Sequence, residues 1–152
     1  MDIASLVPHR APMLAVDAVE EFDVAGKRVV AHARIGADSP FFDGKGVPAW
    51  AAIEYMAQAA ALLVGLRDRA LSPGKNPRPG LLLGTRRFEI EIDRFTIGAD
   101  YRISAVCEFE DADAAAFRCE MTDASGTVVA SATLNAYRPP DMATFLKEQL
   151  SA

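Results

Sequence analysis

Trp50-Ala-Ala-Ile-Glu-Tyr-Met-Ala-Gln-Ala-Ala-Ala-Leu-Leu-Val-Gly-Leu66 is the one long apolar stretch of the chain. It reads as a helix that is apolar nearly all round, so it has to be buried on most sides. Pro48 is expected in its first turn, where a missing N–H costs nothing. The helix should end within 67–71, before Pro73. A membrane span is disfavoured, because the stretch is slightly short and carries Glu54 and Gln58 near its middle.

Working outward, the flanking sequence has a period of two. Met13–Val24 and Lys27–Ile35 look like a hairpin turning at Ala25-Gly26, with Val29, Ala31, Ala33 and Ile35 on its apolar face. A polar loop with Pro40 and Gly44 leads to the helix, and a proline-rich loop, Leu71–Gly80, follows it. Beyond that loop four alternating runs are expected. Their apolar members are Phe88, Ile90 and Ile92, then Tyr101 through Phe109, then Phe117, Cys119 and Met121, then Val128 through Ala136. Ser125-Gly126 marks a two-residue hairpin turn, and a short helix with Asp141 as N-cap is expected over about 141–150. Strand, strand, long apolar helix and four strands make an α+β chain. An antiparallel sheet of half-buried strands must cover that helix, which is the hotdog arrangement, read here as one domain over 1–152. Half of the helix would still need cover, which argues for a dimer.

The 152 residues carry 51% hydrophobic and 24% charged residues, enough for a core without metal or disulfide staples. A net charge of -5 argues against nucleic acid and against anionic membranes. Cys107 and Cys119 form no metal-ligand or CxxC spacing and read as reduced core residues of a cytosolic protein. Asp2 and the broken apolar run Ile3–Val7 do not make a secretory signal. Glu54 and Gln58 are spaced i, i+4 and therefore share one helix face. A carboxyl group in such a helix is costly unless paired or protonated. Glu54 is thus either a proton donor in a site, a group on a wet face, or a hydrogen-bonding group facing another subunit.

Three segments resemble the 3-hydroxyacyl-(acyl carrier protein) dehydratases of the FabZ type. They are Leu6-Val-Pro-His-Arg-Ala-Pro-Met-Leu-Ala-Val-Asp17, Phe41-Phe-Asp-Gly44 and Ala52-Ile-Glu-Tyr-Met-Ala-Gln58. Phe41-Phe-Asp-Gly with Gly46-Val-Pro-Ala-Trp50, Leu83-Gly-Thr-Arg-Arg87 and Leu134-Asn-Ala-Tyr137 is more similar to the ApeP-like branch, whose members accompany aryl-polyene and related lipid or polyketide synthesis. The resemblance implies a cofactor-free, metal-free cytoplasmic hydro-lyase that converts 3-hydroxyacyl thioesters of acyl carrier protein or coenzyme A into enoyl thioesters. It maps the catalytic acid onto Glu54 and a supporting amide onto Gln58. The thioester carbonyl would meet backbone N–H groups near Gly46, Val47 and Ala49, with Gly44, Lys45 and Trp50 alongside.

The chain departs from that pattern where FabZ-type enzymes place a histidine directly after the glycine. Lys45 stands there, and the segment before the helix is shorter. Lys45 would serve as base only if strongly desolvated, and otherwise reads as a solvated or carrier-facing lysine. His9 is either a structural loop histidine or a group within reach of Glu54, and His32 reads as a plain exposed strand histidine. The base could also come from a homologous partner, making the chain one half of a heterodimer. A homodimer, a hotdog thioesterase whose carboxylate activates water, and a partner subunit without turnover are the other readings. Arg67, Arg69, Lys75, Arg78, Arg86, Arg87 and Arg94 could form a basic rim that steers an acidic carrier, or a normally solvated face.

Overall fold

A computed structural model describes residues 1–75 and 80–151. Its main sheet has six antiparallel strands in the order β1-β2-β6-β7-β8-β4. These are β1 (Ala18–Asp23), β2 (Arg28–Arg34), β4 (Leu81–Ile90), β6 (Asp100–Glu110), β7 (Ala114–Thr122) and β8 (Val128–Tyr137). Two residues each of β3 (Val47–Pro48) and β5 (Arg94–Phe95) pair separately. The long helix α1 (Ala52–Leu71) lies in the curl of the sheet, chiefly against β2, β6, β7 and β8. At 20 residues it spans about 30 Å. The α+β hotdog expectation holds. The helix is long and apolar enough to cross a membrane, but 67% of its apolar stretch is buried inside the fold.

The two periodicities meet in one core. Val29, Ala31, Ala33 and Ile35 on β2 and just beyond it are fully buried, as are Ile103, Ala105, Cys119 and Met121 on the neighbouring strands. They close on Tyr55, Met56, Ala59, Leu62, Leu63 and Leu66 of α1. Cys107 and Cys119 are free thiols within this core.

Several local expectations need correction. Residues 13–17 are not strand; Gln58 claims the backbone of Met13 and Ala15 instead. The first hairpin turns over residues 24–27, with Lys27 rather than Gly26 in the left-handed region (φ 49°). Pro48 precedes the helix, in β3, and the first turn at Ala49–Ala51 is 3₁₀. Pairing of β6 with β7 slips between Cys107 and Phe109, so Glu108 is an extra residue and Phe109 turns outward at 58% exposure. Strand β4 begins at Leu81 and is an open edge: Leu82, Leu83 and Ile90 are exposed, and a bulge at 86–89 holds Arg87 at φ 57°. A lone chain therefore leaves an apolar row on unpaired backbone, the kind of edge that soluble proteins cover or pair. The second helix, α2, covers Met142–Ser151, and the Asp141 carboxylate accepts the Thr144 N–H at 3.2 Å as its cap.

Folding pairs only part of the basic rim with acids. Arg67 is bidentate on Glu110 at 2.8 Å, Arg94 binds Asp43 at 2.8 Å, and Arg69 turns to Ser5. Lys75, Arg86 and Arg87 stay exposed, and Arg78 lies outside the described residues.

Candidate active site

Glu54 sits in the first turn of α1, where the positive end of the helix dipole suits a carboxylate. Gln58, one turn on, is completely buried yet fully used. Its Nε2 donates to Glu54 Oε1 and to Met13 O, both at 2.7 Å, and its Oε1 accepts the Ala15 N–H at 2.7 Å. The two donors of the amide must face the two oxygens and its acceptor must face the N–H, so the orientation is self-consistent. Because Oε1 of Glu54 accepts this bond, a proton carried by that carboxyl belongs on Oε2.

The N-terminal segment closes the site from the other side. Leu6 and Val7 are buried against α1, and the approach is so close that a Cβ on Gly65 would lie 2.0 Å from Leu6 O. Only glycine permits that contact. It places Pro8 and His9 over the start of the helix. His9 Nε2 lies 3.6 Å from Glu54 Oε1, each side chain about a quarter exposed (27% and 26%). Nδ1 of His9 is buried with no hydrogen-bond partner among the described residues. Arg10 stiffens this corner by donating to the carbonyls of Val7 and His9 at 2.8 and 2.7 Å.

His9 and Glu54 line one end of a cleft of about 410 Å³. The half-exposed residues of α1 follow it in a helical row, Glu54, Ala57, Ala61, Val64 and Asp68. Leu81 and Leu82 of β4, Phe117 of β7 and Leu134 of β8 form the facing wall. Small residues spaced three or four apart on an apolar helix are the sequence signal for this wall. Alone they are indistinguishable from close packing.

The remaining sequence candidates lie elsewhere. None of Gly44, Lys45, Gly46, Val47, Ala49 or Trp50 lines the cleft. The N–H groups of Lys45 and Gly46 donate to the Asp43 carboxylate at 3.0 Å, and that of Ala49 donates to Asp93 O at 3.0 Å. Gly46 and Ala49 are thus committed within the fold and are not free donors for a substrate carbonyl. Asp43 organises this loop, and Arg94 beside it, together with the two N–H groups, pulls its carboxyl down to about 2. Lys45 is exposed, and Trp50, 56% exposed, packs edge-on against Phe41 at 5.7 Å. His32 is half-buried rather than free on the surface, with Nε2 2.9 Å from Asp100 and Nδ1 4.0 Å from Asp17.

Residues 1–147 match the ApeP-like family, described as ApeP dehydratase. The chain is 30% identical over 112 residues to the 3-hydroxyacyl-[acyl-carrier-protein] dehydratase FabZ of Chlamydia pneumoniae, covering 67% of this chain and 71% of that one. Against the protein of the same name from Chlamydia caviae it is 34% identical over 91 residues and spans 57% of its length. The fold superposes with a TM-score of 0.86 on the dehydratase heterocomplex ApeI:P from Xenorhabdus doucetiae, at 26% identity over 97% of this chain and 96% of that one. The strand order, the long core helix and the family match over nearly the full length together establish that this chain belongs to the ApeP-like dehydratase family.

Proposed function

We propose that the chain is a subunit of a 3-hydroxyacyl-thioester dehydratase, working on acyl carrier protein or coenzyme A thioesters in the cytoplasm, with Glu54 as its catalytic acid. The observation that carries this reading is a carboxyl group anchored at one oxygen by a buried amide, Gln58, and facing a cleft of acyl dimensions. In the reaction a base takes the proton from C2 of the 3-hydroxyacyl chain. The C2–C3 double bond forms as the C3–O bond breaks, and Glu54 gives its proton to the departing hydroxyl, which leaves as water. The proton taken from C2 then returns Glu54 to its acid form through solvent or the base.

The base comes from a homologous partner chain that pairs along β4. Two features support this. The β4 edge is open and apolar, and the chain resembles a member of a dehydratase heterocomplex along almost all of its length. A second reading is favoured by the His9–Glu54 distance of 3.6 Å. The proton and the hydroxyl leave from adjacent carbons, so two groups this close on one wall can reach both from one face. Against it stands His9 Nδ1, which has no acceptor among the described residues to hold the tautomer a base needs.

Enoyl-thioester formation measured on the chain alone and mixed with a histidine-bearing homologue separates these readings. The shared site requires activity only in the mixture, lost with Glu54→Gln by at least about 10²-fold and kept with His9→Asn. Activity of the chain alone that His9→Asn removes would transfer the base to His9. A fully active Glu54→Gln mixture would end the proposal. Release of free thiol in place of enoyl product would make the protein a thioesterase.

A further inference from the structure

Away from Glu54 the apolar wall of the cleft gives way to charge. Fourteen residues beyond Glu54, about 21 Å along the helix axis, Asp68 meets Arg138, with Nη1 2.5 Å from Oδ2. Arg138 follows the last residue of β8, and its own N–H is tied to Asp113 O at 2.7 Å. Beside it Arg67 and Glu110 form the bidentate pair, with Lys27 also on Glu110 at 2.7 Å. Helix, β8 and the β6–β7 turn are thus cross-linked by ion pairs at the end of the cleft away from His9 and Glu54.

We infer that the Asp68–Arg138 pair is the end-stop for the acyl chain and sets the longest substrate the subunit accepts. The inference rests on the dehydratase reading, which puts the reacting carbons at Glu54. From there the walls are Ala57, Ala61 and Val64 on one side and Phe117 and Leu134 on the other. These offer nothing to the amides of a pantetheine arm, whose burial without partners is costly, but they suit a hydrocarbon chain. The chain lies along α1 until it meets two charges that are already paired. Pushing a methyl end between them would separate a partly buried ion pair with no compensating contact.

The test measures binding and turnover across a series of acyl thioesters of increasing length, using saturated thioesters for binding and 3-hydroxyacyl thioesters for turnover. The subunit is assayed with its partner. In the parent protein affinity rises about fourfold per added methylene and then breaks off at one length. Asp68→Asn with Arg138→Met removes both charges together, so neither is left unpaired. This double variant moves the break to longer chains and gains at least tenfold at the first length the parent rejects, relative to the shortest chain. Ala61→Leu, at a half-exposed position that can take the larger side chain, moves the break the other way. Urea midpoints near that of the parent confirm that both variants fold.

A moved break in binding with no turnover at any length supports the end-stop and refutes the dehydratase reading. Turnover with the break unmoved in either variant refutes the end-stop. Affinity that does not depend on length also refutes it and assigns the cleft to the partner's protein surface.

Discussion

Replacing Gln58 with leucine gives the sharpest test of how the site is held. The substitution keeps the side-chain volume roughly constant and removes three hydrogen bonds of 2.7 Å. Two are to neutral backbone groups and one is to a carboxylate. At about 1 kcal/mol for each neutral bond and 1.5–3 kcal/mol for the charged one, roughly 4 kcal/mol is at stake. Burying leucine in place of the amide returns about 1–2 kcal/mol. The net loss is about 2–3 kcal/mol, a large share of a domain's usual 5–15 kcal/mol. In urea the midpoint should fall by about 1 M. Activity should fall further than stability explains. With Glu54 released from its anchor, kcat should drop by about tenfold or more even under conditions where the variant is fully folded, while KM changes little. A Gln58→Leu variant within about 0.5 kcal/mol of the parent, the range of ordinary surface changes, and with the same kcat would refute the reasoning. Gln58→Glu should do worse than leucine, because a second carboxylate would face both Glu54 and the Met13 carbonyl.

Gly65→Ala drives a methyl into Leu6 O, so it should cost about 1–3 kcal/mol by urea unfolding; an unchanged midpoint would show that the N-terminal segment is not held there. Glu110 sits at about 2, held down first by its hydrogen bond to Arg67 and then by Lys27, against an ordinary 4.5. A carboxyl lowered on folding favours the native state above its unfolded value and loses that advantage as pH falls from 4.5 toward 2. Glu110→Gln should therefore be less stable at neutral pH and show a shallower acid limb across that window, and identical pH slopes would contradict the assignment. Cys119 is fully buried and its thiol is pushed up to about 12 by burial, so a thiol reagent should modify it only at the rate of unfolding; prompt reaction in native buffer would place it outside the core.

Much of the architecture is written in periodicity. The alternation along β2, β6, β7 and β8 and the apolar helix needed only that each buried face find another, and the fold leaves little choice about how. What periodicity cannot carry is a change of phase. A bulge adds one residue with no signal in composition, so Phe109 reads as core and is exposed. The edge strand reads as a run of Phe88, Ile90 and Ile92 on one face, and Phe88 and Ile92 do pack against the core, while the bulge at 86–89 leaves Ile90 exposed. Glu54 and Gln58 are legible as a pair from their spacing. Their third member, the backbone of residues 13–15, lies more than forty positions away and enters only through the fold. The loop from Gly44 to Trp50 carries the family motif, but its Gly46 and Ala49 N–H groups are spent on Asp43 and Asp93, which no spacing reveals.

The slip at Glu108 has a consequence for how such proteins diverge. In strict alternation after Cys107, Phe109 would point inward and Glu110 outward. The extra residue exchanges them, and Glu110 is delivered to Arg67 at the end of the cleft while the aromatic ring goes to the surface. Losing a single codon at position 108 would remove the bulge yet leave Phe109 opposite Ala116 on the outer face and Glu110 opposite Ala115 on the inner one. The ionic cross-link from Glu110 to Arg67 at the floor of the cleft would survive the deletion. A relative one residue shorter here is therefore expected to keep the depth and polarity of its cleft, because the bulge absorbs the change in length without turning any lining side chain.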